Sequence, residues 1–509
     1  MTKAKCLAVF GSGSDVGKSI AVAALCRIFS NAGVRVAPFK AQNMSNNSFV
    51  TKLGGEMGRA QIVQAQAARV EPHVDMNPVL LKPSSDTGAQ VVLCGKPLGN
   101  TEAKEYFHDT SFLFGKAKES LERLRADYDL IVMEGAGSCA EVNLRSRDFV
   151  NFQIAHAVDA PVILVADIDR GGVFAQIVGT LEVLSKDDRQ RVKGFIINRF
   201  RGDSSLFDDG IRYLEQKTGR PVFGLIPYFH HLEIDSEDGL PLDVVVDPIE
   251  GPKPDKINIA AIRLPHISNF TDFNPLEREP AVNFHYLSRP RRLEGYDLLV
   301  LPGSKNVRFD LEWLRKTGWD ESIHDFVRNA GSVGGICGGY QMLGQIVHDR
   351  DGIEGEPGDT KGLGLLNVET FLQREKVLTR SAGVWHADGE RVEGYEIHMG
   401  LTKGPDTRRA LVRVVTRNDE CVDESDGARS ESGNVWGTYF HGLFDRPEFR
   451  HAFLLQFRNG QTIEPESNEG ESIETFRDRQ YDLLAEHFRS HLDMEKLFAL
   501  AGLKEARDK

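Results

Sequence analysis

The stretch "VFGSGSDVGKS" (residues 9–19) joins an apolar run to a segment with helical character. Backbone N–H groups of such a glycine-rich turn, together with the N-terminus of the next helix, form a cradle for phosphate oxygens. We therefore predict a nucleotide site in which Lys18 reaches the terminal phosphates and the Ser19 hydroxyl is a ligand of Mg²⁺. The loop residues expected around the nucleotide are Gly13, Ser14, Asp15, Val16 and Gly17.

Length and composition limit the classes of protein to consider. A chain of 509 residues with 40% hydrophobic and 27% charged residues is expected to form two to four globular domains. The net charge of −13 disfavours a general role at nucleic acids or anionic membranes, which need a positive surface. The first apolar run, residues 6–10, is too short for a signal peptide, so we expect a cytoplasmic protein. Six scattered cysteines with no C-x-x-C pair argue against a disulfide framework or a zinc site.

The order of elements predicts two α/β domains, one over residues 1–248 and one over residues 256–509. In the first, short β-branched runs alternate with helical stretches, as in a parallel sheet with crossover helices. The strand candidates there are residues 6–10, 34–39, 129–134, 161–167, 192–198 and 221–227. A proline-rich stretch at 247–256 marks the boundary, and a second series has strand candidates at 257–265, 296–304 and 332–339. We also expect an exposed loop over 417–434 and an amphipathic helix over 473–500 that docks on a core.

Polar residues at strand ends complete the predicted nucleotide site. Glu134 directly follows an apolar strand and precedes small residues, so we expect it to bind the metal or position water. Asp167 and Asp169 end another strand, and whether they join the metal site stays open. Asn198 ends the next strand and is a candidate for reading the adenine edge, although strand-end asparagines commonly cap turns.

The stretch "GGICGG" (334–339) predicts a nucleophile. It fits G-x-C-x-G with Cys337 at the centre, the pattern of a sharp strand-to-helix turn that exposes the nucleophile. The helix predicted after it would favour the reactive thiolate. The N–H of Gly338 is then placed to bind an oxyanion. A second donor is expected from "LPGSKN" (301–306), at Gly303 or Ser304.

A cysteine nucleophile needs a proton acceptor that later acts as a donor. His441 follows the strand-like "VWGTYF" and precedes "GLFD", a position that would hold an imidazole at a sheet edge. His398 in "GYEIHMG" is the rival, with Glu396 two residues earlier, and we favour a structural or substrate contact for it. His441 is thus the predicted partner of Cys337.

Three motifs in order, "PGS" (302–304), "GGICGGYQMLG" (334–344) and "GTYFHGLFD" (437–445), resemble a class I glutamine amidotransferase domain. The five residues between Gly11 and Gly17 are the variant spacing of dethiobiotin-synthetase-like and partition-ATPase-like P-loops. The stretches "PFKAQNMSNNSFVT" (38–51) and "MNPVLLKP" (76–83) are more specific and resemble the cobyric acid synthase family. The resemblance implies a dethiobiotin-synthetase-like P-loop domain followed by a class I amidotransferase-like domain. Ordinary class I domains have His-x-Glu, but Leu443 stands at the glutamate position, which leaves open what orients His441.

The resemblance implies an ATP-, Mg²⁺- and L-glutamine-dependent amidation of a corrinoid, adenosylcobyrinic acid a,c-diamide, at four side-chain carboxylates. An ATP-made acyl phosphate would activate each carboxylate, and glutamine hydrolysis would supply NH₃. Lys40, Gln42 and Asn43 are the candidate substrate-binding residues, because amides can hold both carboxylates and product amides. The alternatives are cobyrinic acid a,c-diamide synthase and, from another class, a partition-type ATPase switch with a non-catalytic glutaminase-like module.

Overall fold

The computed structural model describes residues 3–83, 88–102, 110–230, 232–235, 251–457 and 472–504. The strands of the first half are β1 (Lys5–Gly11), β2 (Val36–Phe39), β3 (Gln42–Met44), β4 (Ser48–Val50), β5 (Glu56–Gly58), β6 (Val79–Pro83), β7 (Gly88–Leu93), β8 (Lys96–Glu102), β9 (Leu130–Glu134), β10 (Val162–Asp167), β11 (Val192–Phe200) and β12 (Val222–Pro227). Its helices are α1 (Lys18–Asn31), α2 (Arg59–Ala67), α3 (Ser111–Asp127), α4 (Ile154–Ala157), α5 (Val173–Val183), α6 (Lys186–Arg191) and α7 (Asp208–Thr218).

The strands of the second half are β13 (Ile257–Ile262), β14 (Ile267–Ser268), β15 (Val282–Leu287), β16 (Leu298–Leu301), β17 (Gly303–Ser304), β18 (Ser332–Ile336), β19 (Ile346–Asp349), β20 (Gly358–Lys361), β21 (Glu369–Trp385), β22 (Arg391–Lys403), β23 (Val412–Arg417), β24 (Glu420–Asp426), β25 (Ala428–Arg429), β26 (Val435–Thr438) and β27 (Phe440–His441). Its helices are α8 (Asn274–Glu277), α9 (Val307–Thr317), α10 (Trp319–Arg328), α11 (Gly338–Leu343), α12 (Pro447–Leu455), α13 (Ile473–Arg489) and α14 (Met494–Leu500).

The first sheet confirms the predicted parallel α/β architecture. Its order is β12-β11-β10-β1-β9-β2, and every pair within it is parallel. The central strands β9 and β10 are buried along their whole length and apolar up to their last residues, Glu134 and Asp167, because helices cover both faces of the sheet. Since parallel strands end at the same edge, the phosphate loop after β1 lies beside the ends of β9, β10 and β11.

Two small sheets are formed by strands that lie between β2 and β9 in the sequence, and the sequence does not predict them. One has the order β3-β6-β7-β8, and the other pairs β4 with β5. Their strands are three to seven residues long, and several are polar, so they lack the apolar runs that identify the strands of the main sheet. The substrate candidates Gln42 and Asn43 belong to β3.

The second domain also contains a mainly parallel sheet, of order β15-β13-β16-β18-β26-β25. A separate, mainly antiparallel sheet runs β20-β19-β21-β22-β27, with β23 and β24 added at β21. The expectation of an exposed loop over 417–434 is wrong for its first half, because β23 and β24 pair across a turn at 418–419 and β25 follows. The polarity of β24 reflects an exposed edge strand and not a loop.

The tail packs on the first domain. The predicted docking on a core is confirmed, since Leu484, Phe488 and Phe498 join the same apolar core as residues of α1 and β1. The single helix expected over 473–500 is instead two helices, α13 and α14, because the chain leaves the helix at 490–493 and Asp493 caps the second one. The division at 248/256 stays a prediction, since residues 236–250 lie outside the described part, and by packing 473–500 belong with the first half. Within the described residues, no helix is long and apolar enough to cross a membrane.

Candidate active site

The phosphate loop has the geometry that the sequence predicts. The Lys18 ammonium donates to the carbonyls of Gly13 and Gly137, each at 2.9 Å, so it is stretched across the loop. A Cβ at Gly11 would lie 2.7 Å from the Gly13 carbonyl, and one at Gly17, where φ is 92°, would lie 2.2 Å from the Asn198 amide. Both positions therefore require glycine. The chain from Gly11 to Ser19 is thus a tight glycine-dependent turn between β1 and α1.

Glu134 lies at the centre of a buried polar cluster beside the loop. One carboxylate oxygen accepts from the Ser19 hydroxyl and from the Lys40 ammonium, each at 2.8 Å, and the other accepts from the Gln64 amide at 2.5 Å. No group of three His, Cys, Asp or Glu side chains that could hold a metal occurs among the described residues. A divalent ion would therefore take the Ser19 hydroxyl, Glu134 and amide or phosphate oxygens. The Gln64 side-chain oxygen fits this requirement, because it is buried and has no hydrogen-bond partner in the described part.

Asp167 and Asp169, whose role the sequence left open, are paired with arginines. Asp167 accepts from Arg199 at 2.9 Å, and Asp169 accepts from Arg201 at 2.6 Å. The Arg201 guanidinium lies 3.7 Å from the ring centre of Tyr228. These contacts make a charged rim at the ends of β10 and β11, separate from the cluster around Glu134.

The remaining candidates of the first domain lie close to that cluster. The Asn198 amide nitrogen donates to the Val16 carbonyl at 3.0 Å, so this side chain supports the phosphate loop from the neighbouring strand. Asn43 is buried and donates to Gln61 at 2.9 Å, and Gln61 reaches the Glu134 carboxylate at 3.4 Å. Gln42, next to Asn43 in β3, is partly exposed.

Cys337 forms the predicted elbow between β18 and α11. Its backbone has φ 51° and ψ −107°, a strained conformation for a residue with a side chain. A Cβ at Gly335 would lie 2.7 Å from the backbone of Gly339, and one at Gly339 would lie 2.0 Å from the Leu301 carbonyl. The two glycines are thus needed because the turn presses these backbones together.

The oxyanion candidates converge on the elbow. A Cβ at Gly338 would lie 2.7 Å from the Ser304 nitrogen, which brings the two backbone N–H groups into one corner. The Ser304 hydroxyl instead donates to Asp310 at 2.7 Å, so only the main chain of Ser304 is available as a donor. Gly303 lies beside His441, since its Cβ would be 3.3 Å from the imidazole Cε1.

The residue that orients His441 is Asp272. Its carboxylate lies 2.7 Å from His441 Nδ1 and accepts from the Gly442 N–H at 2.9 Å. Asp272 belongs to a short 3₁₀ turn, Phe270–Phe273, and both side chains are buried. Leu443, which replaces the usual glutamate, is an apolar core residue. Asp445 pairs instead with Arg477 at 3.7 Å.

The charges around His441 favour its protonated form. Burial alone would lower the pKa of the imidazole, but Asp272 and the neighbouring Cys337 raise the pKa to about 10. His398, the rival, bonds the Gly400 carbonyl at 2.8 Å and stacks on Tyr439 at 3.7 Å. The arrangement of Cys337, His441 and Asp272 is therefore that of a nucleophile, a base and an orienting carboxylate.

A cavity of about 370 Å³ opens in front of Cys337 and His441. Its wall includes Lys305 and Glu354, whose charges burial disfavours: the pKa of Lys305 is lowered and that of Glu354 raised. Lys305 donates to Gln90 at 3.2 Å, and Glu354 accepts from the Arg308 N–H at 3.0 Å. Groups of opposite charge therefore lie on the wall of the cavity that faces Cys337.

The first domain closes one side of this cavity. Lys82, Gly88 and Ala89 of the small sheet are part of its lining. Lys82 and Lys376, from opposite domains, meet the same carboxylate of Glu56 at 2.6 and 2.5 Å. Burial would raise the pKa of Glu56, but the two ammonium groups hold it far below its ordinary value. The interface is therefore held by a buried ionic cluster next to the cavity in front of Cys337.

Three candidate functional residues were not predicted from the sequence: Asp272, Gln64 and Glu354. Asp272 is 169 residues from His441, and no spacing rule connects them. Gln64 lies in a polar helix without a recognised motif, and Glu354 follows the nucleophile in a turn-rich stretch. None of the three has a local sequence signal, because only the folded structure shows that Gln64 is buried on α2 and bonds to Glu134.

Comparison with known proteins agrees with both halves of this geometry. The description "CobQ/CobB/MinD/ParA nucleotide binding domain" matches residues 7–242, and "CobB/CobQ-like glutamine amidotransferase domain" matches residues 258–449. The chain is 58% identical over 503 residues to the cobyric acid synthase of Chlorobaculum tepidum, covering 99% of each chain. It is 47% identical over 500 residues to that of Bradyrhizobium diazoefficiens, covering 98% of this chain and 100% of the relative. The chain therefore belongs to the cobyric acid synthase family of glutamine-dependent, amide-forming ligases.

Proposed function

We propose that the chain amidates adenosylcobyrinic acid a,c-diamide at side-chain carboxylates b, d, e and g, giving adenosylcobyric acid in cobalamin biosynthesis. The observation that carries this proposal is the pairing of two sites in one chain. A Cys337–His441–Asp272 site faces a cavity that the first domain closes, and that domain holds a phosphate loop beside Glu134. One site supplies ammonia and the other activates the carboxylate that receives it.

The glutaminase half begins with L-glutamine in the cavity. Glu354 pairs with its α-ammonium group and Lys305 with its α-carboxylate, which directs the side-chain amide toward Cys337. His441 Nε2 holds the thiol proton as the sulfur attacks the amide carbon, while the N–H groups of Gly338 and Ser304 stabilise the oxyanion. His441 then protonates the leaving nitrogen, NH₃ departs, and water hydrolyses the thioester to glutamate.

The synthetase half uses the phosphate loop. Ser19 and Glu134 would hold Mg²⁺ with the phosphates of ATP, and the ion would neutralise charge on the phosphate oxygens. Lys18 lies over the terminal phosphates, and Lys40 stabilises the phosphoryl group as a substrate carboxylate attacks it. The acyl phosphate that results loses phosphate when NH₃ attacks its carbon. Asn198 contacts the adenine, while Gln42 and Asn43 contact carboxylates or amides of the corrinoid.

The two chemistries belong in a reducing, ATP-containing compartment. Cys337 acts only as a thiol, and all six cysteines are free in the structure. A cytoplasmic location follows from this requirement. Ammonia released at Cys337 leaves toward the first domain, because Lys82 and Ala89 of that domain line the same cavity.

Mass spectrometry of the corrinoid tests the proposal. Purified protein with ATP, Mg²⁺, glutamine and the a,c-diamide should give four successive amide-sized mass shifts. Cys337→Ala should lose product with glutamine and retain it with added ammonia. Unreacted diamide with the wild-type protein, or equal loss with both nitrogen donors in the variant, would refute the assignment.

A further inference from the structure

The wall of the cavity in front of Cys337 contains an ammonium group that is held from the other domain. Lys305 lies between β17 and α9 of the second domain, is partly buried, and lines the cavity. Its ammonium donates to the side-chain oxygen of Gln90, in β7 of the first domain, at 3.2 Å. Within the described part of the chain, no other group accepts from this ammonium, which can donate three hydrogen bonds. An anion in the cavity would complete its hydrogen bonding.

The Gln90 side chain is fixed so that its oxygen faces the ammonium groups. It is buried, and it pairs in register with Lys82 across β6 and β7. Its oxygen accepts from Lys376 at 3.3 Å as well as from Lys305, while its amide nitrogen approaches the Met399 sulfur at 3.5 Å. The reverse orientation would direct an N–H at two ammonium groups, so the oxygen is held toward them. Gln90 is thus a neutral acceptor that holds Lys305 in place.

Among the described residues, Lys305 is the ammonium of this interface that forms no ion pair. The nearby Glu56 carboxylate takes the ammonium groups of Lys82 and Lys376, at 2.6 and 2.5 Å. Glu354, on the same wall as Lys305, accepts from a backbone N–H of α9 at 3.0 Å. Burial, and then the two other ammonium groups, lower the pKa of Lys305. A carboxylate bound beside Lys305 would therefore stabilise its charged form.

We propose that Gln90 is a positioning residue of the glutamine site: it holds the Lys305 ammonium where it binds the α-carboxylate of glutamine, so that both domains build this site. This inference rests on the proposed function, because it takes glutamine as the ligand of the cavity. The α-carboxylate keeps its charge while Cys337 attacks the side-chain amide at the other end of the ligand. The contact is therefore the same in the ground state and in the transition state, and its loss raises KM without lowering kcat.

The test compares glutamine with L-glutaminamide, in which a neutral amide replaces the α-carboxylate. Hydrolysis of each is followed by chromatography in the complete reaction mixture with ATP, Mg²⁺ and the a,c-diamide. Gln90→Met removes the acceptor, and should raise KM for glutamine about 10- to 100-fold, the range for a hydrogen bond to a charged group, with kcat within about twofold of wild type. KM for L-glutaminamide should change less than about threefold in the same variant, because this ligand does not use the charge of Lys305. A merely structural role for Gln90 would move both substrates together.

Two further variants complete the test. Gln90→Glu keeps an acceptor for both ammonium groups, but its carboxylate competes with that of the ligand for Lys305, so KM for glutamine should rise here as well. Asn274→Ala is the matched control, because Asn274 also bonds across the interface, to Asp235 at 2.9 Å, yet is not part of the cavity wall. Its KM for glutamine should stay at the wild-type value.

The inference is overturned if either Gln90 variant keeps the wild-type KM for glutamine, if Gln90→Met raises KM equally for both substrates, or if Asn274→Ala has the same effect. Ammonia-dependent amidation in the same variants reads the synthetase site and the folded state separately. If Gln90→Met lost that activity too, Gln90→Glu would decide. A wild-type protein that hydrolyses no glutamine would instead count against the proposed function.

Discussion

Replacing Asp272 by asparagine tests how the base of the glutaminase site is held. Asp272 and Cys337 raise the pKa of His441 from its ordinary 6.5 to about 10, against the effect of burial. A hydrogen bond to a charged group contributes about 1.5–3 kcal/mol, and a loss near the middle of this range would slow glutamine hydrolysis roughly 60-fold. In Asp272→Asn the amide oxygen would stay on the Gly442 N–H, and the amide nitrogen would face Nδ1. This forces the proton onto Nε2, the wrong tautomer for a base.

An aspartate-to-asparagine change in a serine protease triad costs about 10⁴-fold in kcat for the same reason. We therefore expect a glutaminase rate between roughly 60- and 10⁴-fold below wild type, with Asp272→Asn slower than Asp272→Ala. Glutamate release is the assay, and ammonia-dependent amidation should be unchanged. Because the pKa of His441 falls when the carboxylate is lost, the alkaline limb of the residual rate should move to lower pH. A rate within threefold of wild type, or equal loss in the control Asp445→Asn, would refute the reasoning.

Two further predictions concern the first domain and the interface. Lys18→Ala removes an ammonium held over the phosphate loop, so amidation should fall about 100-fold or more with either nitrogen donor. Normal ammonia-dependent turnover would contradict this role. Glu56→Gln leaves Lys82 and Lys376 without their shared carboxylate, and should lower the free energy of unfolding in urea by about 3–5 kcal/mol. Since the pKa of Glu56 is lowered by folding, its contribution is present above about pH 4.5 and is lost as the pH falls further.

The exposed ion pair of Arg413 and Asp423 supplies the control for the interface. Asp423→Asn should leave the free energy of unfolding unchanged within the error of the measurement, because the pair is solvated. If Glu56→Gln were no more destabilising than this control, the buried cluster would not stabilise the interface.

The parts of the fold that the sequence predicts are those with strong local signals. The six parallel strands of the first sheet contain runs of buried apolar residues, and the elbow at Cys337 needs glycines at fixed offsets. The small sheets over 42–102 have no such signal, because their short strands are stabilised by contacts with the second domain. The strand Glu420–Asp426 has a solvated surface and therefore has the composition of a loop.

The residues of the active site also divide into those with a local sequence signal and those brought together only by folding. Cys337 and His441 are marked by neighbouring residues, so sequence alone identifies them. Asp272 and Asn269 lie in a turn that no motif marks, and only tertiary packing brings them to the imidazole. Leu443 shows that the glutamate that usually orients the histidine is absent, but it does not indicate which residue takes that role.

The packing of α13 and α14 on the first sheet has a consequence for biosynthesis. Arg27, in α1, is fully buried and pairs with Asp478 of α13. The face of α1 that α13 and α14 cover therefore stays exposed until more than 440 further residues have been synthesised. At bacterial translation rates this delay is on the order of a minute. The nascent first domain thus spends that time with an apolar helix face exposed, which predicts a need for chaperone protection and poor solubility of fragments that stop before residue 473.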